Sequence, residues 1–337
     1  MIMPDAAPLD GIDLLLADLD GVVYRGDTAV PFAIESLNKV SDNIQVAYLT
    51  NNASRTPLAV AGQLNALGLG TKATDIVTSP QAAVRLLRTL ISPGEKVLAV
   101  GGDGLIQELL DAGYLVTAVA CDAPSAVVQG FAKNVGWEEL AEASFALQGA
   151  GADRPWIATN SDWTLPTDRG IAPGNGTLVS AVHLATGRMP LIAGKPETAL
   201  FEVALERFVS NNALMIGDRL DTDILGASRA GLRSALVLTG VDQAKQVLAA
   251  EPSMRPTYIL QDLRGLFEPY PLVDRESDGD GSKRYSVKGS TVQMLGNRVQ
   301  ILESGSSKLD LLRAACAAVW ESGLAIYGLE IPEQIYA

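Results

Sequence analysis

Asp18 and Asp20 stand two positions apart at the end of an apolar run, Leu14, Leu15, Leu16 and Ala17, and Gly21 follows them. The run reads as a buried strand. In an open parallel sheet, ligands bind beyond the carboxyl ends of the strands, so both carboxylates fall where a ligand would sit. Residues two apart on a strand also share a side. Two like charges this close repel, and a divalent cation relieves the repulsion. Mg²⁺ takes one or two carboxylates together with a substrate phosphate. The pair therefore suggests metal-assisted chemistry on a phosphate group. Taken alone, a strand running into a polar turn explains it equally well.

The elements that must position such a pair recur along the chain. A strand over 13–19 is followed by an irregular, glycine-containing excursion over 21–30 and a helix over 32–40. A second strand, 45–49, ends in Thr50 and Asn51. A helix over 57–67 and a short strand over 76–78 continue the alternation. A later strand, 190–193, runs into Gly194, Lys195 and Pro196, and another, 213–216, into Gly217, Asp218 and Asp223. Alternating strands and helices predict a parallel sheet. Four polar stations thus close predicted parallel strands: Asp18 with Asp20, Thr50 with Asn51, Lys195, and Asp218 with Asp223. Residues 79–188 repeat the alternation on their own, with strands at 96–100, 126–129 and 156–158. The expected division is a core of 1–78 and 189–270, a cap of 79–188, a linker of 271–281 and an appendage of 282–337. In the appendage, Gly296 and Asn297 mark a hairpin, a helix covers 308–322, and a last strand covers 325–329.

Composition narrows the chemistry. The net charge of −13 argues against nucleic acid as a partner. Two distant cysteines, Cys121 and Cys316, fit a reducing compartment. No apolar run reaches the length of a membrane span, and residues 1–13 lack a signal-peptide pattern. The expectation is a cytoplasmic protein without membrane insertion. His183 is the single histidine, which removes most Ser-His-Asp and histidine-phosphatase chemistry from consideration, and its helical setting suggests a structural role. Gly102 and Gly104 lack the third glycine of a dinucleotide loop, because Gln107 stands there. Pro196 after Lys195 rules out a Walker loop. Asp274, Glu276 and Asp278 start like a calcium loop, but Tyr285 stands where the closing glutamate belongs.

With the four stations in this order, the chain resembles the haloacid dehalogenase superfamily of phosphatases over about residues 13–268. The large insert before Lys195 is similar to the branch with a C2-type cap, which includes glycerol-phosphate, phosphoglycolate, pyridoxal-phosphate and nucleotide phosphatases. The stretches 217–224 and 158–162 carry the likeness. The resemblance implies an α/β fold: a Rossmann-like, doubly wound parallel sheet as core, an inserted α/β cap, and here a small C-terminal α+β appendage. It implies Asp18 as nucleophile and Asp20 as general acid and base. Mg²⁺ would be held by Asp18, the backbone carbonyl of Asp20, and Asp218. The Thr50 hydroxyl, the Asn51 backbone amide and Lys195 would bind phosphate oxygens. Asp223 would orient Lys195 or a water without touching the metal. Asn52, Arg55 and Asp162 are candidates for contact with the leaving group.

A capped site favours a small phosphomonoester, and with only 5% aromatic residues the chain offers little to stack on a ring. These favour a small polyol phosphate, and the resemblance to the glycerol-phosphate and phosphoglycolate phosphatases implies glycerol 3-phosphate as the expected substrate. Phosphoglycolate, pyridoxal phosphate and a nucleotide are the alternatives within the class, and a phosphotransferase such as a mutase would need a second phosphate clamp. In a different class, a phospho-accepting receiver-like switch also uses a strand-end aspartate, but it has no cap and no second acid like Asp20. The tail resembles part of an N-acetyltransferase fold without its pyrophosphate loop, so no acetyl transfer is expected. It is expected to bury a shared edge or support a homodimer, and to be dispensable for hydrolysis.

Overall fold

The computed structural model describes residues 6–167, 169–277 and 282–337. Residues 1–5, within the stretch inspected for a signal peptide, lie outside the described residues. So do residues 278–281, which include Asp278 of the acidic loop. The chain forms two compact units, Met1–Ile44 with Asn212–Ala337, and Gln45–Asn211. Residues 45–78 and 189–211, expected in the core, thus cluster with residues 79–188. The reason lies in the helices Ser79–Leu87 and Ala199–Phe208, which pack together. Arg85 on the first pairs with Glu202 and Glu206 on the second. Arg207 donates to the carbonyls of Thr74 and Ile76.

The first unit holds four parallel strands: Leu14–Asp18 beside Ala213–Gly217, then Arg233–Val237, then Tyr258–Leu260. All five residues of Leu14–Asp18 and of Ala213–Gly217 are buried, as parallel strands covered on both faces require. Two short antiparallel strands, Tyr24–Arg25 and Thr28–Ala29, form the glycine-containing excursion.

The tail completes this unit. Strands Asp274–Ser277, Lys283–Val287, Ser290–Leu295 and Arg298–Glu303 make an antiparallel sheet. Leu295 pairs with Arg298 across a two-residue turn with Gly296 at φ +59°, the hairpin expected at Gly296 and Asn297. Part of the expected linker is therefore an edge strand. The expected strand over 325–329 is instead a single helical turn, Ile326–Gly328. Helix Lys308–Ser322 begins at Ser307, whose hydroxyl accepts from the Asp310 N–H, and ends at Gly323 in the left-handed region. Its apolar side and the buried faces of the tail strands join the core. Leu311, Leu312, Val319, Tyr285, Val292 and Val299 form one cluster with Leu220, Ile224, Leu236, Val247, Leu248 and Ile259. The Arg313 guanidinium donates twice to the Ile259 carbonyl and lies over the Tyr270 ring.

The second unit contains the parallel pair Gln45–Thr50 and Ile76–Thr78 and a five-stranded parallel sheet. The order in that sheet is Leu191–Ile192, Trp156–Ala158, Ala126–Gln129, Lys96–Val100 and Leu115–Thr117. Helices Trp137–Ala146 and Asn175–Thr186 cover one face through Ala143, Val179 and Val182. An antiparallel hairpin, Thr164–Thr167 with Gly170–Pro173, leads into the second of them. No helix among the described residues is long and apolar enough to cross a membrane.

Candidate active site

In the first unit, the register of Leu14–Asp18 on Ala213–Gly217 brings the carboxyl ends of the two strands level. Asp18 closes one strand and Asp218 follows the other. A turn of π-helix, Leu220–Ile224, brings Asp223 back beneath Asp218. Carboxylate oxygens of Asp18, Asp218 and Asp223 lie within 4.8 Å of one another, and all three residues are buried. Twice a typical Mg²⁺–oxygen distance is about 4.2 Å, and twice a Ca²⁺–oxygen distance about 4.8 Å. Hard oxygen donors at this spacing fit a divalent cation of that kind.

The chain around these acids is shaped to admit them. A Cβ on Gly217 would overlap the Asp223 carboxylate, and one on Gly240 would overlap that of Asp218. Gly21 has φ +81°, and its missing Cβ likewise leaves room for Asp218. Backbone groups then fix the side chains. Asp218 Oδ2 accepts from the Val241 N–H at 2.7 Å. Asp223 Oδ2 accepts from the N–H groups of Asp218 and Arg219, at 3.2 and 3.1 Å. One oxygen of Asp223 therefore holds the loop that carries Asp218. Asp242 grips the same loop: its Oδ2 accepts from Leu220 N–H at 2.6 Å, and its own N–H donates to the Asp218 carbonyl. Burial, reinforced by Asp221 and Asp223, pushes the Asp242 carboxyl above its ordinary range against the opposing Leu220 bond.

Asp20 is exposed, two residues past the strand, and is bridged to Tyr24 of the short hairpin. That hairpin is tied down by the Thr239 hydroxyl, which donates to the Gly21 carbonyl, and by Arg25, which donates to the Thr239 carbonyl.

In the second unit, Thr50, Asn51 and Lys195 are buried. Thr50 Oγ1 accepts from the Asn52 N–H. Asn51 reaches Lys195 through two bonds: its Oδ1 accepts from Lys195 N–H at 2.8 Å, and its Nδ2 donates to the Lys195 carbonyl at 3.0 Å. The same Nδ2 faces the Asp162 carboxylate at 3.1 Å. The structure thus brings Asn51, Asp162 and Lys195 together. Asn52 and Arg55 are engaged locally instead: Asn52 Oδ1 accepts from the N–H and hydroxyl of Ser54, and Arg55 donates to Gln63.

Three family-level comparisons bear on this arrangement. Residues 15–115 match a model described as haloacid dehalogenase-like hydrolase, and residues 192–266 match a related one, HAD-hydrolase-like. A D-glycerol 3-phosphate phosphatase of Mycobacterium tuberculosis is 43% identical over 93% of this chain and 87% of its own length. The chain belongs to the haloacid dehalogenase-like hydrolases. This hydrolase is also 33% identical to an acid sugar phosphatase of Staphylococcus saprophyticus, over 74% of the chain and 94% of that protein. A crystal structure of the glycerol phosphate phosphatase from M. tuberculosis, in complex with magnesium, superposes with a TM-score of 0.86 at 40% identity. It covers 98% of this chain and 96% of that one, so the tail is matched too. The 4-nitrophenylphosphatase of Thermotoga maritima follows at TM-score 0.71 and 29% identity, over 77% of this chain and 98% of that one. The hydrolase is a phosphatase, with the α/β fold class, inserted cap and α+β tail expected of it.

Residues with no assigned role in the sequence also serve the site. Asp242 lies five residues beyond strand Arg233–Val237, in the loop that follows a parallel strand. Asn160 and Ser79, two donors to the Asn51 carbonyl, likewise follow strands Trp156–Ala158 and Ile76–Thr78. For Asn160 and Ser79, strand-end position was the available signal.

Proposed function

We propose that this phosphatase hydrolyses glycerol 3-phosphate through an aspartyl-phosphate on Asp18. The observation that carries the reading is the buried trio Asp18, Asp218 and Asp223, spaced for a divalent cation, with Asp218 and Asp223 held by backbone N–H groups. Asp18 and Asp218, with the backbone carbonyl of Asp20, would hold Mg²⁺, which when bound supplies charge neutralisation between carboxylate and phosphate. Asp18 attacks phosphorus, and the bond to the glycerol oxygen breaks as Asp20 gives that oxygen a proton. Asp20, now a carboxylate, takes a proton from water, and the water oxygen releases inorganic phosphate from Asp18. Lys195, the Thr50 hydroxyl and the Asn51 N–H bind the non-reacting oxygens, whose charge persists through a loose transition state. Asp223 keeps Asp218 in place through the loop between them.

The substrate rests on two supports. The relative named for D-glycerol 3-phosphate spans 93% of the chain, and the M. tuberculosis crystal structure matches nearly all of it. Asn52, Arg55 and Asp162 are the proposed contacts for the glycerol group, beside the bonds they make to Ser54, Gln63 and Asn51. The test is kcat/KM for glycerol 3-phosphate, 2-phosphoglycolate, pyridoxal 5′-phosphate and a nucleoside monophosphate. Glycerol 3-phosphate should lead. Preference for another of the four keeps the mechanism and replaces the substrate.

A further inference from the structure

Lys195 is almost wholly buried, and its long side chain has many rotamers, so its ammonium can be placed only as well as its backbone is. That backbone is gripped on both sides by one carboxamide. Asn51 Oδ1 takes the Lys195 N–H and Asn51 Nδ2 gives to the Lys195 carbonyl, as a neighbouring strand would. Only a carboxamide offers donor and acceptor together at this length.

The grip is itself held. The Asn51 carbonyl accepts from Asn160 Nδ2 and from the Ser79 hydroxyl, each at 2.7 Å. Asn160 Oδ1 accepts from the Asp162 N–H at 3.2 Å, and the Asn160 carbonyl accepts from Asn175 Nδ2 at 2.8 Å. Asn51, Asn160 and Asn175 are all buried, so each bond is made away from water and is costly to lose. Gly194 completes the arrangement. A Cβ there would lie 2.5 Å from Asn51 Oδ1 and 2.6 Å from the Thr159 carbonyl.

We propose that the Asn51 and Asn160 side chains are positioning residues that set the place of the Lys195 ammonium for the phosphate, with Gly194 a glycine because their clamp occupies its Cβ space. The proposal rests on the phosphatase reading above, in which Lys195 binds phosphate. It assigns Asn51 a task for its side chain in addition to its N–H, and it links the lysine to the 160–162 loop.

The experiment measures the dissociation constant of inorganic phosphate by calorimetry, with Mg²⁺ present, in four full-length proteins: wild type, Asn160→Asp, Lys195→Ala and the double variant. Asn160→Asp keeps the shape and the acceptor for Asp162 N–H but loses the donor to Asn51. In the wild-type background it should weaken phosphate binding about tenfold, the loss of roughly one buried hydrogen bond. In the Lys195→Ala background it should change binding less than about twofold, because there is no ammonium left to misplace. Gly194→Ala should reproduce the single-variant loss, and it stands in should Asn160→Asp fail to fold. Equal losses in both backgrounds would show that Asn160 acts through the fold alone, and no loss in the wild-type background would show no effect at all. Either result overturns the proposal. Should wild type neither bind phosphate nor turn over any phosphomonoester, the phosphatase reading fails instead.

Discussion

Ending the chain after Pro271 removes no residue assigned to catalysis, yet the structure predicts a damaged enzyme. Leu220 and Ile224, in the turn that follows Asp218, share one apolar cluster with Leu311, Leu312, Tyr285 and Val292. Six core side chains share that cluster with the tail: Leu220, Ile224, Leu236, Val247, Leu248 and Ile259. Full burial of such a side chain contributes about 1.5–3 kcal/mol. If the tail supplies a third of that burial, its loss costs roughly 3–6 kcal/mol, against a net stability of about 5–15 kcal/mol for a typical protein. The Ile259 carbonyl also loses its two Arg313 donors. Urea denaturation of the shortened chain should show a much lower midpoint or no cooperative transition, and kcat/KM should fall at least about tenfold as the Asp218 loop loosens. A milder version is Leu312→Ala, a buried truncation expected to cost about 2–5 kcal/mol. A shortened chain with wild-type midpoint and wild-type kcat/KM would refute the reasoning and restore the tail to a dispensable appendage.

The other predictions concern the acids. Asp18→Asn should leave the fold intact and reduce kcat by more than about a hundredfold, over 2.7 kcal/mol in barrier, checked by steady-state kinetics and thermal melting. EDTA should stop turnover and Mg²⁺ restore it, while Ca²⁺, with its looser and higher coordination, should inhibit. Gly240→Ala should lower kcat/KM at least about tenfold with a small change in melting temperature, because its methyl group would displace Asp218. Glu108 is raised by burial, against the Gln81 bond that lowers it. Its folded pKa exceeds its unfolded one, so the penalty is absent below the unfolded value and complete once pH has risen through the folded one. Glu108→Gln should therefore stabilise the protein at neutral pH, and the gain should vanish towards about pH 3, as read from urea midpoints at the two pH values.

The parts that were legible in the sequence were those written in one local stretch. The strand at 14–18 announced itself by unbroken apolar residues, and Asp18 and Asp218 by their place at strand ends. Gly296 and Asn297 announced the hairpin. Other features depend on partners far along the chain. Gly240 is small because Asp218 fills its Cβ space, and Gly194 because Asn51 does; neither glycine needs an unusual φ, so neither carries a local signal. The bond from the Asn51 carboxamide to Asp162 joins residues more than a hundred positions apart and had no local signal. The edge strands Leu115–Thr117 and Thr164–Thr167 escaped notice because they are short, without the apolar run that marks a buried strand. The tail looked separable because its strands alternate cleanly, whereas its buried side chains belong to one cluster with Leu220, Ile224 and Val247.

The most direct test of the account is to quench the wild-type enzyme in acid during turnover of ³²P-labelled glycerol 3-phosphate with Mg²⁺, and to map the label by peptide mass spectrometry. The account predicts label on the peptide containing Asp18, lost in the Asp18→Asn protein. Rapid turnover with label on another residue, or undiminished turnover by Asp18→Asn, would contradict it.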